Sequence, residues 1–99
     1  MDTENTTNNK AEGKFRILNS LGLHLRPARM LADLTNKFES EIFIKKDSEE
    51  INGKSIMGII TLAAPKGALL KFTAIGPDAG EAIEAVGKLI ENKFGEEDE

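Results

Sequence analysis

The chain has 99 residues and a mass of 10.8 kDa, which is room for one small domain. It holds no cysteine and one histidine, His24, so disulfide staples, zinc–cysteine clusters, thiol catalysis and multi-histidine metal sites are excluded. No apolar run approaches the ~18 residues of a membrane span, and the polar N-terminus lacks the apolar core of a secretory signal, a pattern that fits a cytoplasmic protein.

In chain order, Met1–Gly13 has no hydrophobic periodicity and is expected to be a disordered tail. The folded body is expected over 14–94. Phe15 and Ile17 alternate with Lys14 and Arg16 as a short strand. A turn around Gly22 follows, and Pro27 opens a helix in which Ala28, Met30, Leu31, Ala32, Leu34 and Phe38 recur at helical spacing. Proline suits the first helical turn, where its missing N–H has no intrahelical partner. That places His24 and Leu25 at the helix start.

Glu41–Lys46 alternates around Ile42 and Ile44 as a second strand, and Asp47-Ser48 turns into a return strand near Glu49–Asn52. Ser55 stands at the N-cap of a short helix carrying Ile56, Met57, Ile59 and Ile60, with Gly58 leaving the capping box incomplete. Beyond the Pro65-Lys66-Gly67 turn, Leu70, Phe72 and Ala74 mark another strand. Ala79–Phe94 then places Ile83, Val86, Leu89, Ile90 and Phe94 on one helical face. The order β-α-β-β-α-β-α predicts an α+β fold, a two-layer sandwich with one antiparallel sheet and its helices on a single face. Residues 95–99 form an acidic tail expected to lie in solvent.

The formal charge of −4 belongs to the ends. Of 13 Lys and Arg, only Lys10 lies outside 14–95, whereas seven of the 17 acidic residues do. The body therefore holds 12 basic against 10 acidic residues, a net +2. With neither Trp nor Tyr and no basic stripe, nucleic acid is not an expected partner. Neither is membrane insertion.

The chemistry candidate is Leu21-Gly22-Leu23-His24-Leu25-Arg26-Pro27-Ala28. A histidine just before a helix sits beside unpaired N–H groups at the positive end of the dipole, which favours anions. Arg26 adds a guanidinium suited to phosphate oxygens, and a neutral imidazole is nucleophilic. A lone histidine is also commonly a surface or capping residue, so these residues alone leave both readings open.

Gly22-Leu23-His24-Leu25-Arg26-Pro27-Ala28 resembles the active-site signature of HPr, the histidine-containing phosphocarrier family of the bacterial phosphoenolpyruvate-dependent phosphotransferase system. Asn52-Gly53-Lys54-Ser55-Ile56-Met57-Gly58 resembles the second signature of that family, around its regulatory serine, and the two stand at the family's spacing. The resemblance spans 14–94. It implies an open-faced β-sandwich, a four-stranded antiparallel sheet with three helices on one face. It also implies that His24 takes a phosphoryl group on Nδ1 from phosphorylated enzyme I and passes it to an enzyme IIA domain, with Arg26 steadying the phosphate. Ser55 matches the serine modified by HPr kinase/phosphorylase, and a phosphate there would add roughly −2 of charge to a docking face. Leu25 departs from the alanine most common in the family.

Leu25, Arg29, Lys54, Ile56 and Met57 are the candidate partner contacts, with Leu21, Leu25 and Met57 as a candidate apolar patch and Ile56, Ile59 and Ile60 expected to feed the core. No metal or cofactor is expected, and the chain is expected to be a monomer that is passed between enzymes without turning over itself. A nitrogen-regulatory carrier relaying to a regulatory IIA, a regulatory paralogue read through Ser55, and an α+β small-molecule-sensing module remain alternatives. The last leaves His24, Arg26 and Ser55 unexplained.

Overall fold

In the computed structural model, residues 9–96 are described. Four strands, β1 (Lys10–Arg16), β2 (Glu41–Lys46), β3 (Glu49–Asn52) and β4 (Leu69–Ile75), form one antiparallel sheet in the order β1-β4-β2-β3. Three helices, α1 (Leu25–Thr35), α2 (Ile56–Thr61) and α3 (Ala79–Glu91), pack on it. The expected α+β open-faced sandwich is thus the architecture found.

Alternation decides the two faces. Ile42 and Ile44 of β2, and Leu70, Phe72 and Ala74 of β4, point inward and are fully buried. The helices complete the core with Leu31, Ile59, Val86 and Ile90. The solvent face of the sheet carries Lys14, Lys45 and Lys71, with Lys71 directly opposite both other lysines. One row of three like charges is tolerable because that face is wet and Lys71 is paired with Glu12 at 3.7 Å.

Both ends of the body extend further than the sequence pattern suggests. β1 begins at Lys10, four residues before the expected boundary, because β4 runs far enough to pair Lys10–Gly13 with Phe72–Ile75. The apolar signal there is weak for a packing reason. A Cβ on Gly13 would lie 2.8 Å from the Phe15 ring, and one on Gly87 of α3 would lie 2.7 Å from it. Two glycines therefore make the slot in which Phe15 sits, edge-on to Phe72 with ring centroids 5.9 Å apart.

At the other end, α3 stops at Glu91, and a 3-10 turn, Lys93–Gly95, follows. Phe94 is buried as expected but not as part of the helix: Lys93 and Phe94 both adopt φ of 55°, turning the chain back on itself. Burial of the Phe94 ring offsets that uncommon backbone. The turn delivers Glu96 to the start of α1, so Glu96 is no part of a solvated tail. The remaining expectations about the two tails lie outside the described residues.

Likewise α1 ends at Thr35, and Phe38 packs half-buried from the following turn. The fully buried Thr35 hydroxyl donates to the Gly53 carbonyl at 2.8 Å, which ties α1 to the start of the second signature.

Candidate functional site at the start of the first helix

His24 is the N-cap of α1, with extended backbone (φ −77°, ψ −170°) and no hydrogen bond from its side chain to the helix. The first intrahelical bond runs from the Ala28 N–H to the His24 carbonyl at 3.0 Å. The N–H groups of Leu25 and Arg26 precede it, and Pro27 has none, so among the described residues the helix start has no built-in acceptor for these donors.

The loop that presents His24 is fastened from behind. Leu23 is buried, and its N–H donates to the Ala64 carbonyl at 2.9 Å. Gly22 adopts φ +70°, and a Cβ there would lie 2.4 Å from the same carbonyl. The fully buried Asn19 closes the loop, its Nδ2 donating to the Gly22 carbonyl at 2.9 Å.

The imidazole is not alone. Its Nε2 lies 2.7 Å from Oε2 of Glu96, to which Arg26 Nη1 also donates at 3.0 Å. Asn19 Nδ2 donates to the other carboxylate oxygen at 2.9 Å. Burial raises the pKa of Glu96, but the bonds from Asn19 and His24 and the charges of His24 and Arg26 outweigh it, and the net shift is downward. Glu96 is the site residue that sequence reasoning missed. Seventy-two positions from His24, in a run of acids that reads as solvated, it carries no local signal.

Arg26 also reaches the Phe94 carbonyl at 3.3 Å. A shallow groove runs from His24 along α1, lined by Leu25, Arg26, Arg29, Met30 and Asp33. Arg29 is exposed on it. Leu21, Leu25 and Met57 are 72%, 64% and 72% exposed, whereas Ile56 is half-buried against the core, as is Ile60.

Ser55 caps α2, its Oγ accepting from the Gly58 N–H at 3.0 Å. Lys54 differs from a free surface cation: its Nζ donates to the Phe38 carbonyl at 2.7 Å, bracing the turn after α1. Among the described residues no cluster of His, Cys, Asp and Glu could hold a metal, and no helix is long and apolar enough to cross a membrane.

Residues 11–92 match the family model described as the PTS HPr component phosphorylation site. The chain is 40% identical over 82 residues to the phosphocarrier protein HPr of Treponema pallidum, covering 83% of this chain and 93% of that one. It is 45% identical over 85 residues to the multiphosphoryl transfer protein of Vibrio cholerae, covering 83% of this chain but 21% of that larger protein. The crystal structure of HPr-C-His from Thermoanaerobacter tengcongensis superposes with a TM-score of 0.85 at 46% identity, covering 88% of this chain and 98% of that one. A chain with this fold, an outward histidine at an open helix start and these relatives belongs to the HPr family, the phosphocarriers of the phosphotransferase system.

Proposed function

We propose that His24 is the phosphoryl acceptor, through Nδ1, and that Arg26 meets the phosphoryl oxygens. The observation that carries this reading is the open start of α1: a half-exposed imidazole at the N-cap, with N–H groups that have no partner among the described residues and a guanidinium beside it. Those donors favour the phosphoryl oxygens through hydrogen bonds and the helix dipole. The donor is phosphorylated enzyme I and the acceptor an enzyme IIA domain, so the chain acts in the cytoplasm as a carrier whose partners supply the catalysis. Arg29 and the exposed Leu21, Leu25 and Met57 form the docking face around the histidine. Salt slows such an encounter by screening the arginines.

Ser55 serves a regulatory role in the same reading. Its hydroxyl lies on the start of α2, and a phosphate there changes the charge of the docking face more than the fold. HPr kinase/phosphorylase is the enzyme class that would install it.

Incubation with phosphoenolpyruvate, magnesium and enzyme I is expected to give an acid-labile adduct on the wild type and on Ser55→Ala, and none on His24→Ala. Equal labelling of His24→Ala would remove the acceptor assignment. Transfer to a panel of IIA domains decides between the sugar and nitrogen branches.

A further inference from the structure

The carboxylate of Glu96 occupies one side of the His24 ring with nothing in the sequence to announce it. We propose that Glu96, aimed by the buried Asn19, is a positioning residue that fixes the tautomer of His24, keeping the proton on Nε2 and the lone pair on Nδ1. The proposal rests on His24 being the phosphoryl acceptor.

Its chemistry follows from the contacts. An ionised carboxylate only accepts hydrogen bonds, and the environment of Glu96 favours the ionised form. At 2.7 Å from Oε2, Nε2 must therefore carry a proton. In the neutral ring that leaves Nδ1 unprotonated, since the hydrogen bond made by one ring nitrogen decides the state of the other.

The aim of the carboxylate is set in turn. Asn19 Nδ2 donates to the Gly22 carbonyl and to Glu96 Oε1, both at 2.9 Å. A flipped amide would turn its own oxygen toward two acceptors, so the orientation is dictated by the partners. In this orientation Asn19 Oδ1 is buried with no hydrogen-bond partner among the described residues. A buried polar atom left unpaired costs stability, and it is tolerated here beside a group that the Asn19 amide holds in place. Arg26 Nη1 fixes Oε2 from the other side at 3.0 Å.

The step balances without a proton transfer. The Nδ1 lone pair forms the new N–P bond as the N–P bond of the donor phosphohistidine breaks, and that bonding pair returns to the donor nitrogen. The ring then carries phosphorus on Nδ1 and hydrogen on Nε2, and the negative charge of Glu96 lies against the resulting positive ring. Because Nδ1 and Nε2 are separate ring positions, Glu96 can hold Nε2 while the phosphoryl group arrives at Nδ1. Onward transfer reverses these changes.

The test combines nitrogen-15 NMR of the imidazole in full-length, unphosphorylated protein with the rate of phosphoryl acceptance from enzyme I. The neutral wild-type ring is expected to be protonated on Nε2 alone. Glu96→Gln, whose amide can donate to Nε2, is expected to move most of the neutral ring to the Nδ1-protonated tautomer and, with about one-tenth left competent, to slow acceptance about 10-fold. Glu96→Asp is expected to recover part of both. A thermal midpoint for each variant within a few degrees of wild type excludes a folding defect. A tautomer mixture in the wild type, an unchanged tautomer in Glu96→Gln, or an altered tautomer with an unchanged rate would each overturn the proposal. The NMR readout needs no phosphoryl transfer, so it stands apart from the His24→Ala labelling that tests the acceptor itself.

Discussion

The two signature segments each start a helix, and they treat that start in opposite ways. At α2, Ser55 turns its own hydroxyl onto the Gly58 N–H and closes the terminus. At α1, His24 makes no such bond and leaves the donors of Leu25 and Arg26 without an acceptor among the described residues. The difference teaches that a helix N-terminus is either a stability element or an anion site according to one side chain. Where the cap is self-satisfied the dipole is used internally; where it is left open it is available to a ligand. The start of α3 is a third case. Asp78 is its N-cap, yet the carboxylate accepts from the Glu39 and Ser40 N–H groups and the Ser40 hydroxyl, stitching a neighbouring turn instead of its own helix.

The largest expected effect breaks the open start from behind. Gly22→Ala places a side chain at φ +70° and against the Ala64 carbonyl. It is expected to cost about 3 kcal/mol in urea unfolding. Next, Ser55→Ala removes the closed cap and is expected to cost about 1 kcal/mol by the same measurement, with phosphoryl acceptance unchanged. The third concerns pH.

The Ser40 hydroxyl first, then the Glu39 and Ser40 N–H groups, lower the pKa of Asp78 from its ordinary 3.8 despite some desolvation. A carboxylate lowered in the folded state contributes fully above its unfolded value and loses that contribution as the pH falls through its folded value. The unfolding midpoint of the wild type is therefore expected to drop below pH 3.8 more steeply than that of Asp78→Asn, and parallel curves would show that Asp78 adds nothing. The smallest effect is the sharpest contrast. His24→Ala, at a cap that makes no capping bond, loses only its contact with Glu96, which Asn19 and Arg26 still hold, and is expected to change stability by about 0.5 kcal/mol or less while abolishing phosphoryl acceptance.

Much of the α+β fold could be read in advance because its signals are local. Ile42, Ile44, Leu70 and Phe72 alternate, and Ala28, Leu31 and Ala32 recur at helical spacing, so each element declares its buried face within a few residues. Lys10–Gly13 escaped this logic. Its inward positions are Ala11 and Gly13; at Gly13 the Phe15 ring and Ile83 of α3 fill the space a side chain would take, and a strand whose inward residues are this small has no hydrophobic pattern. Phe94 escaped for the opposite reason: its apolar character was visible, but the reversal at Lys93 and Phe94 was not.

The sequence by itself was enough to place the proposed phosphoryl acceptor. His24, Arg26 and Pro27 are neighbours in the chain, and proline at a helix start is a local constraint that brings imidazole, guanidinium and free N–H groups together without help from elsewhere. Only the tertiary structure decided what stands on the other side of the ring. The contact between Glu96 and His24 depends on α3 packing on the sheet, on Phe94 burying its ring and on the chain turning back at positive φ. An acidic residue in an acidic run looks solvated until a fold supplies Asn19 and Arg26 as its partners. Hydrogen bonds to a carboxylate are set by position in space, and separation along the chain says nothing about them.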